Sequence, residues 1–179
     1  MLAALADGVS TIQGLLRADD TDALALALTQ VGAKTHLDAD VATVTGPLTS
    51  VTDAEVHLGH GGTPARFMLA CASIGGGRVV IDGSDRLRER PMGEMAPLLE
   101  ALGATVEFLG TPQSLPMAVQ GGPWKVSQLD MGQMTSSQFL SALLLVGASM
   151  PSGLELRLQE APPSEAYLRL TIAELRAWG

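Results

Sequence analysis

Residues 60–66, HGGTPAR, have the composition of a helix N-terminus that binds an anion. The two glycines would let the backbone approach a ligand closely, Thr63 is placed to cap the helix, and Pro64 suits its first turn. Free amides and the helix dipole at such a terminus attract phosphate or carboxylate groups, and Arg66 can pair with their charge. The same residues also fit an ordinary capped helix after a glycine turn, so the segment by itself leaves both interpretations open.

A second polar segment, TSSQF, places hydroxyl and amide groups before an apolar helix. Ser136 and Ser137 supply hydroxyl groups, and the amide of Gln138 can both donate and accept hydrogen bonds. Such a set suits a sugar-like polyol that carries a phosphate. A serine N-cap is the alternative interpretation of the same residues.

Three arginines of an otherwise acidic chain are concentrated in DRLRERP, residues 85–91. Arginine makes planar, bidentate contacts to carboxylate and phosphate groups. We expect Arg86 and Arg88 to pair with neighbouring acidic residues in a solvated loop. Arg90, directly before Pro91, is expected to open a helix and to point toward a ligand at that N-terminus.

The turn before the last predicted helix contains Ser164 and Tyr167, and Tyr167 is the only tyrosine of the chain. This turn is equivalent, in the internal repeat, to the turn that contains Asp19 and Asp20. We expect those two carboxylates to cap the helix that follows them. Packing against a helix face is the alternative interpretation of Tyr167.

Composition excludes several classes of function. Among the 179 residues, 46% are apolar but only 3% aromatic, which indicates a globular core of Ala, Leu, Val and Met. A net charge of −8 argues against a general nucleic-acid surface. The single Cys71 is expected to be a buried apolar residue, and the three histidines lack metal-ligand spacing. No apolar run is long enough to span a membrane, so the expected location is cytoplasmic, with no membrane or nucleic-acid partner, metal or cofactor.

These segments occur at equivalent points of an internal repeat. In each copy, the residue pattern predicts a helix of small apolar residues, a short strand, a polar turn and a second helix. The second helix ends at a glycine in each copy, at Gly32, Gly103 and Gly179, where a left-handed residue would terminate it. In the first two copies another strand follows, over 36–45 and 105–109.

The repeat predicts an α/β fold in which the Ala/Leu-rich helices lie inside and the sheets outside. The second helix of the middle copy is predicted over 90–103. We expect one incomplete lobe of repeated units, of which the first and third are truncated: residues 1–59, 60–133 and 134–179.

Taken in order, these motifs resemble the enolpyruvyl transferase family, and most closely its 3-phosphoshikimate 1-carboxyvinyltransferase (EPSP synthase) members. The resemblance runs through LAALADG, RADDT, GTPAR, RLRERPMGEM, SSQF and the Ser-x-x-Tyr of Ser164 and Tyr167. It implies a two-lobed enzyme, each lobe made of three βαβαββ units, with the active site in the cleft between them. The implied reaction transfers the enolpyruvyl group of phosphoenolpyruvate to the 5-hydroxyl of shikimate 3-phosphate and releases phosphate.

The resemblance also implies roles for particular residues. Contacts to phosphoenolpyruvate, where the inhibitor glyphosate would also bind, are implied for Gly62, Arg90 and Gln138. Contacts to shikimate 3-phosphate are implied for Ser136, Ser137, Gln138 and Ser164, with Tyr167 at the edge. Thr63 and Arg66 would shape the phosphoenolpyruvate loop.

The sequence departs from the family pattern in two ways. His60 stands where the family usually has Asn, and Gly61 often has Ala as its counterpart. The family's Lys-Ser-x-Ser-x-Arg segment, expected just before Leu2, is absent, and so is the second lobe with its catalytic Asp and Lys. We therefore expect a chain that binds weakly, does not turn over and has the missing C-terminal lobe as a partner.

Three other functions remain open at this point. A UDP-N-acetylglucosamine enolpyruvyl transferase shares the repeat, although SSQF is not expected in it. An RNA 3′-phosphate cyclase would need ATP and a catalytic histidine, for which no setting is evident. A non-catalytic fragment that binds anions is the third.

Overall fold

The computed structural model describes residues 1–179, which form helices and strands in alternation along the chain. The helices are α1 (Leu2–Leu5), α2 (Asp19–Gln30), α3 (Gly62–Cys71), α4 (Asp85–Arg88), α5 (Met95–Leu102), α6 (Ser137–Gly147) and α7 (Glu165–Trp178). The strands are β1 (Gly8–Gln13), β2 (Lys34–Asp38), β3 (Val41–Gly46), β4 (Ala54–His57), β5 (Arg78–Asp82), β6 (Thr105–Phe108), β7 (Met117–Gln120), β8 (Gln128–Met131) and β9 (Glu155–Leu158).

The strands form three sheets whose topologies are parts of one pattern. The largest has the order β4-β5-β7-β6, with β4 and β5 parallel and the other pairs antiparallel. The sheet β1-β3-β2 reproduces the antiparallel part of this order, and the sheet β8-β9 reproduces its parallel pair. The predicted α/β fold of repeated units is therefore confirmed.

Two helices form the centre of the core. Almost every residue of α3 and α6 is buried, including Met68 and Leu69 in α3 and Phe139 and Leu143 in α6. A helix that is apolar on all sides must be covered on all sides, which places these two inside. In α7, by contrast, only Leu168 is buried. No helix is long and apolar enough to cross a membrane.

Cys71 lies at the end of α3 and is fully buried, as predicted. Burial raises the pKa of its thiol to about 12. The neutral thiol therefore packs as a small apolar group and is not a nucleophile at neutral pH.

Two predicted elements are wrong in detail. The strand expected over 36–45 is a hairpin, because the chain turns at Ala39, which has a positive φ of 49°. The helix expected over 90–103 begins only at Met95. The amides of Met92 and Gly93 instead donate to the carbonyl of Gln113, at 3.2 and 3.0 Å, which holds this segment in a turn.

Two of the sheets contain strands from both sides of residues 60 and 134, where the unit boundaries are predicted. Strand β4 precedes residue 60 but pairs with β5, and β8 precedes residue 134 but pairs with β9. Two parallel strands need a crossover connection between them, usually a helix, so they are not neighbours in the sequence. The sequence repeat therefore does not show which sheet β4 or β8 joins.

Candidate functional site

Helix α3 begins with open amides. Its N-cap is Gly61, and no side chain caps it. The prediction that Thr63 is the N-cap is therefore wrong, because the helix starts earlier, at Gly62, and Thr63 lies in its first turn. The backbone N–H groups of Gly62 and Thr63 have no acceptor within the chain. Such a terminus can accept an anion.

Arg90 supplies positive charge at this terminus. Although Arg90 does not open a helix, its guanidinium lies so close to Gly62 that a Cβ atom there would overlap it. Arg90 has no carboxylate partner, whereas Arg86 pairs with Glu89 at 3.1 Å and Arg88 with Asp82 at 2.7 Å. As predicted, Arg86 and Arg88 are paired with neighbouring acidic residues, whereas Arg90 is not.

Arg66 connects three parts of the site from within the protein. Its side chain is on α3, and the residue is only 3% exposed. Nη1 donates to Oε1 of Gln138 at 2.6 Å, and Nη2 donates to the carbonyl of Pro91 at 3.0 Å. The guanidinium also lies over the ring of Phe139, 4.8 Å from its centre. Arg66 thus joins α3, the turn that carries Arg90, and the start of α6.

The electrostatics of Arg66 reflect this position. The pKa of its guanidinium is lowered to about 10, chiefly by burial and also by the nearby charge of Arg90, while Glu94 opposes the shift. Its Nε atom is buried without a hydrogen-bond partner. Arg66 and Arg90 thus bring two guanidinium groups to this region, with the carboxylates of Glu94 and Asp20 nearby.

Helix α6 begins beside Arg66. Ser136 is its N-cap, and its Oγ accepts from the amide of Gln138 at 3.3 Å. Ser137 is buried, and its backbone amide has no acceptor within the chain. We call Gly62, Arg66, Arg90 and Gln138 the helix-start cluster, because it lies where α3 and α6 both begin.

Two residues beside this cluster were missed by the sequence analysis. Glu94 accepts hydrogen bonds from the amide of Thr135, at 2.9 Å, and from its hydroxyl. This pair ties the turn after Arg90 to the segment before α6. Glu94 belongs to RLRERPMGEM, but nothing in the sequence pointed to Thr135 as its partner.

Ser164 and Tyr167 are not joined to the helix-start cluster by any hydrogen bond. Ser164 precedes α7 with a positive φ of 55° and makes no capping bond, and Tyr167 is 67% exposed. Helix α7 is instead held to α6 by Thr171, which donates to Ser141 at 2.8 Å.

The start of α2 also differs from the prediction. The N-cap is Ala18, whose amide donates to Oγ1 of Thr21 at 3.0 Å, and neither Asp19 nor Asp20 makes a capping hydrogen bond. A hydroxyl one turn into the helix reaches back to the N-cap amide, which leaves the carboxylate of Asp20 free to lie against Gly61.

The site thus offers open amides, the guanidinium group of Arg90, a carboxamide and a serine hydroxyl, with Arg66 buried behind them. This set can bind a phosphate or carboxylate and hydrogen-bond the hydroxyls of a polyol. The chain has no cluster of three or more His, Cys, Asp or Glu side chains that would hold a metal ion.

Solved structures show the same arrangement of elements. An EPSP synthase from Acinetobacter baumannii superposes with a TM-score of 0.71 at 23% identity, covering 93% of this chain and 38% of that one. The enolpyruvyl transferase NikO from Streptomyces tendae superposes with a TM-score of 0.60 at 17% identity, covering 99% of this chain and 41% of that one.

The fold is that of the enolpyruvyl transferases. The family model of EPSP synthase (3-phosphoshikimate 1-carboxyvinyltransferase) matches residues 1–179, and the chain belongs to this family. The enzyme of that name from Erwinia tasmaniensis is 33% identical over 184 residues, which cover all of this chain and 43% of the relative. The one from Thermococcus kodakarensis is 39% identical over 178 residues, or 41% of its length. The chain therefore spans less than half of the length of these relatives.

Proposed function

We propose that this chain supplies one lobe's share of a site for enolpyruvyl transfer from phosphoenolpyruvate to the 5-hydroxyl of shikimate 3-phosphate, with release of phosphate. Membership of the EPSP synthase family supports the reaction. The observation that carries the proposal is the 2.6 Å hydrogen bond from Arg66 to Gln138, which holds the starts of α3 and α6 side by side. The two substrates would then occupy adjoining positions.

Phosphoenolpyruvate fits the α3 side of the site. The free amides of Gly62 and Thr63 and the unpaired guanidinium of Arg90 are suited to its carboxylate or phosphate. Arg66 is buried next to this position and does not reach solvent.

Shikimate 3-phosphate fits the α6 side of the site. The Ser136 hydroxyl, the backbone amide of Ser137 and the carboxamide of Gln138 offer several hydrogen bonds at a helix start. Ser164 and Tyr167 belong to this proposal only as outer contacts, because Tyr167 is exposed and neither side chain touches the helix-start cluster.

Catalysis would need groups beyond those of this chain. The transition state resembles an oxocarbenium ion and requires an acid and a base that converge on the reacting carbons. Glu94 is a carboxylate beside the cluster, and it already accepts two hydrogen bonds from Thr135. We therefore propose that this lobe contributes to substrate binding and that catalysis requires a second lobe. For the complete enzyme we propose a cytoplasmic location.

A non-catalytic anion site is the competing function, and titration with shikimate 3-phosphate distinguishes the two. The probe is the backbone amide shift of the labelled chain, with inorganic phosphate as the matched control. Saturable shifts at Ser136, Ser137, Gln138 and Ser164 at lower concentrations than phosphate requires would support the proposal. Equal responses to both ligands would reduce the site to anion binding, and no saturable shift would contradict the proposal.

A further inference from the structure

Gln138 has a carboxamide whose two ends offer opposite hydrogen-bonding chemistry. Its oxygen accepts and its nitrogen donates, and the two ends are nearly identical in shape. Which end faces a ligand therefore decides what kind of ligand atom Gln138 can recognise. The neighbouring Arg66 settles this point.

A guanidinium group has five N–H donors and no acceptor. The Gln138 atom that lies 2.6 Å from Nη1 of Arg66 must therefore be the carbonyl oxygen, since an amide nitrogen there would place two donors against each other. A bond to a charged donor is also stronger than one between neutral groups. The oxygen end is thus committed to the protein interior.

The nitrogen end remains available. Nε2 of Gln138 donates no hydrogen bond within the chain and is not among its buried unpaired atoms, and the residue is half-buried. Its exposed end can only donate. Arg66 itself cannot turn away, because Pro91 accepts from its other terminal nitrogen and the ring of Phe139 supports its plane.

We propose that Arg66 is a positioning residue that fixes the Gln138 carboxamide, so that only Nε2 faces the ligand. Gln138 then selects an acceptor atom, such as a phosphate, carboxylate or ether oxygen. Nε2 itself cannot accept a hydrogen bond from a substrate hydroxyl. This inference rests on the proposed function for the identity of the ligand, but the orientation of the amide is independent of it.

The orientation is tested first without ligand, by the side-chain carbonyl shift of glutamine-labelled chain. Arg66→Met should move the Gln138 resonance upfield, since the accepted hydrogen bond is lost. Arg78→Met removes an exposed arginine that pairs with Glu107 and should leave it unmoved. An unmoved Gln138 resonance in folded R66M would overturn the proposal.

The ligand side is tested by Gln138→Glu, which keeps an acceptor for Arg66 but replaces the outward donor with an oxygen. Gln133→Glu, in the exposed loop before α6, adds the same charge and serves as the control. We expect Q138E to weaken shikimate 3-phosphate binding at least about tenfold more than Q133E. Equal weakening in the two variants would overturn the proposal. If the unmodified chain does not bind this ligand, the proposed function fails, while the shift of Gln138 in R66M still decides the orientation.

Discussion

At the scale of single residues, the site depends on which charges are already neutralised. Arg88 and Arg86 are paired with acids close in sequence, whereas Arg90 reaches Gly62 without a carboxylate partner. A guanidinium group that is already paired with a carboxylate attracts a further anion only weakly, whereas no carboxylate neutralises the charge of Arg90. Glycine at position 62 makes this approach possible.

Gly62→Ala tests the contact between Gly62 and Arg90. A Cβ atom would overlap the Arg90 guanidinium, which is the end of a flexible side chain and can swing away. We expect severalfold weaker binding of phosphoenolpyruvate with an unchanged melting temperature. Amide-shift titration and thermal unfolding measure the two quantities.

Gly76→Ala is the matched control for G62A, because a Cβ atom at Gly76 would meet nothing within 4 Å. It should leave both binding and unfolding unchanged. Full phosphoenolpyruvate affinity in G62A would show that the position of Arg90 does not matter for binding.

Arg88→Met tests the ion pair with Asp82. The hydrogen bond from Arg88 holds the pKa of the Asp82 carboxyl below its ordinary value. A carboxyl whose pKa is lowered in the folded state stabilises the protein above the unfolded pKa, and this stability is lost as the pH falls through the folded pKa. R88M should raise the pKa of Asp82 and reduce this loss of stability in acid.

The measurement for R88M is the carboxyl carbon shift of Asp82 as the pH is lowered. Arg86→Met is the control, because Arg86 pairs with Glu89 and not with Asp82. An Asp82 titration that is the same in R88M as in the unmodified chain would show that the pair has no influence in solution.

At the scale of elements, the site is where two buried helices begin. Helices α3 and α6 are buried along almost their whole length, and their starts are joined by Arg66 and Gln138. Because the helices pack into the core, their first turns are held in place by far more than the local capping bond of Ser136. Helix α7, which exposes most of its surface, contributes less to this rigidity.

Leu143→Ala measures this difference between inner and outer helices. Leu143 is fully buried in α6, so its truncation should lower the free energy of unfolding by about 2–5 kcal/mol. Leu170→Ala in α7, where the side chain is 58% exposed, should cost about 0.5 kcal/mol or less. Chemical denaturation of both variants gives the comparison, and equal losses would contradict the assignment of α6 to the core.

At the scale of the whole molecule, the chain matches less than half of the length of its relatives. It spans 43% of its relative from Erwinia tasmaniensis, and its three sheets show the repeated order only in part. In the sheet β1-β3-β2 no strand corresponds to β4, and in β8-β9 none corresponds to β7 or β6. Gly62, Arg66, Arg90 and Gln138 lie together where α3 and α6 begin.

The chain by itself should therefore not turn over. With both substrates present, we expect no release of phosphate above the uncatalysed background, because an acid and a base from elsewhere are needed. A continuous phosphate assay measures this, with the enzyme from Erwinia tasmaniensis as the positive control. Sustained release in proportion to the concentration of this chain would show that one lobe is sufficient.

The sequence by itself determined whatever depends on neighbours along the chain. Several features depend only on residues nearby in the sequence: the glycine pair at the start of α3, the Ser136 cap and the acidic partners of Arg86 and Arg88. The burial of α3 and α6 likewise follows from their own apolar composition. Helix periodicity, capping chemistry and short-range ion pairs act over a few residues, and a pattern can therefore show them. The internal repeat extended these local inferences to an α/β fold.

Only the tertiary structure decided how the site is joined together. Arg66 and Gln138 are 72 residues apart, and Glu94 and Thr135 are 41 apart, yet each pair is in hydrogen-bonding contact. Arg90 reaches Gly62 from a turn where a helix had been predicted. Such contacts arise from the packing of whole helices and strands, which brings together side chains that no local pattern relates.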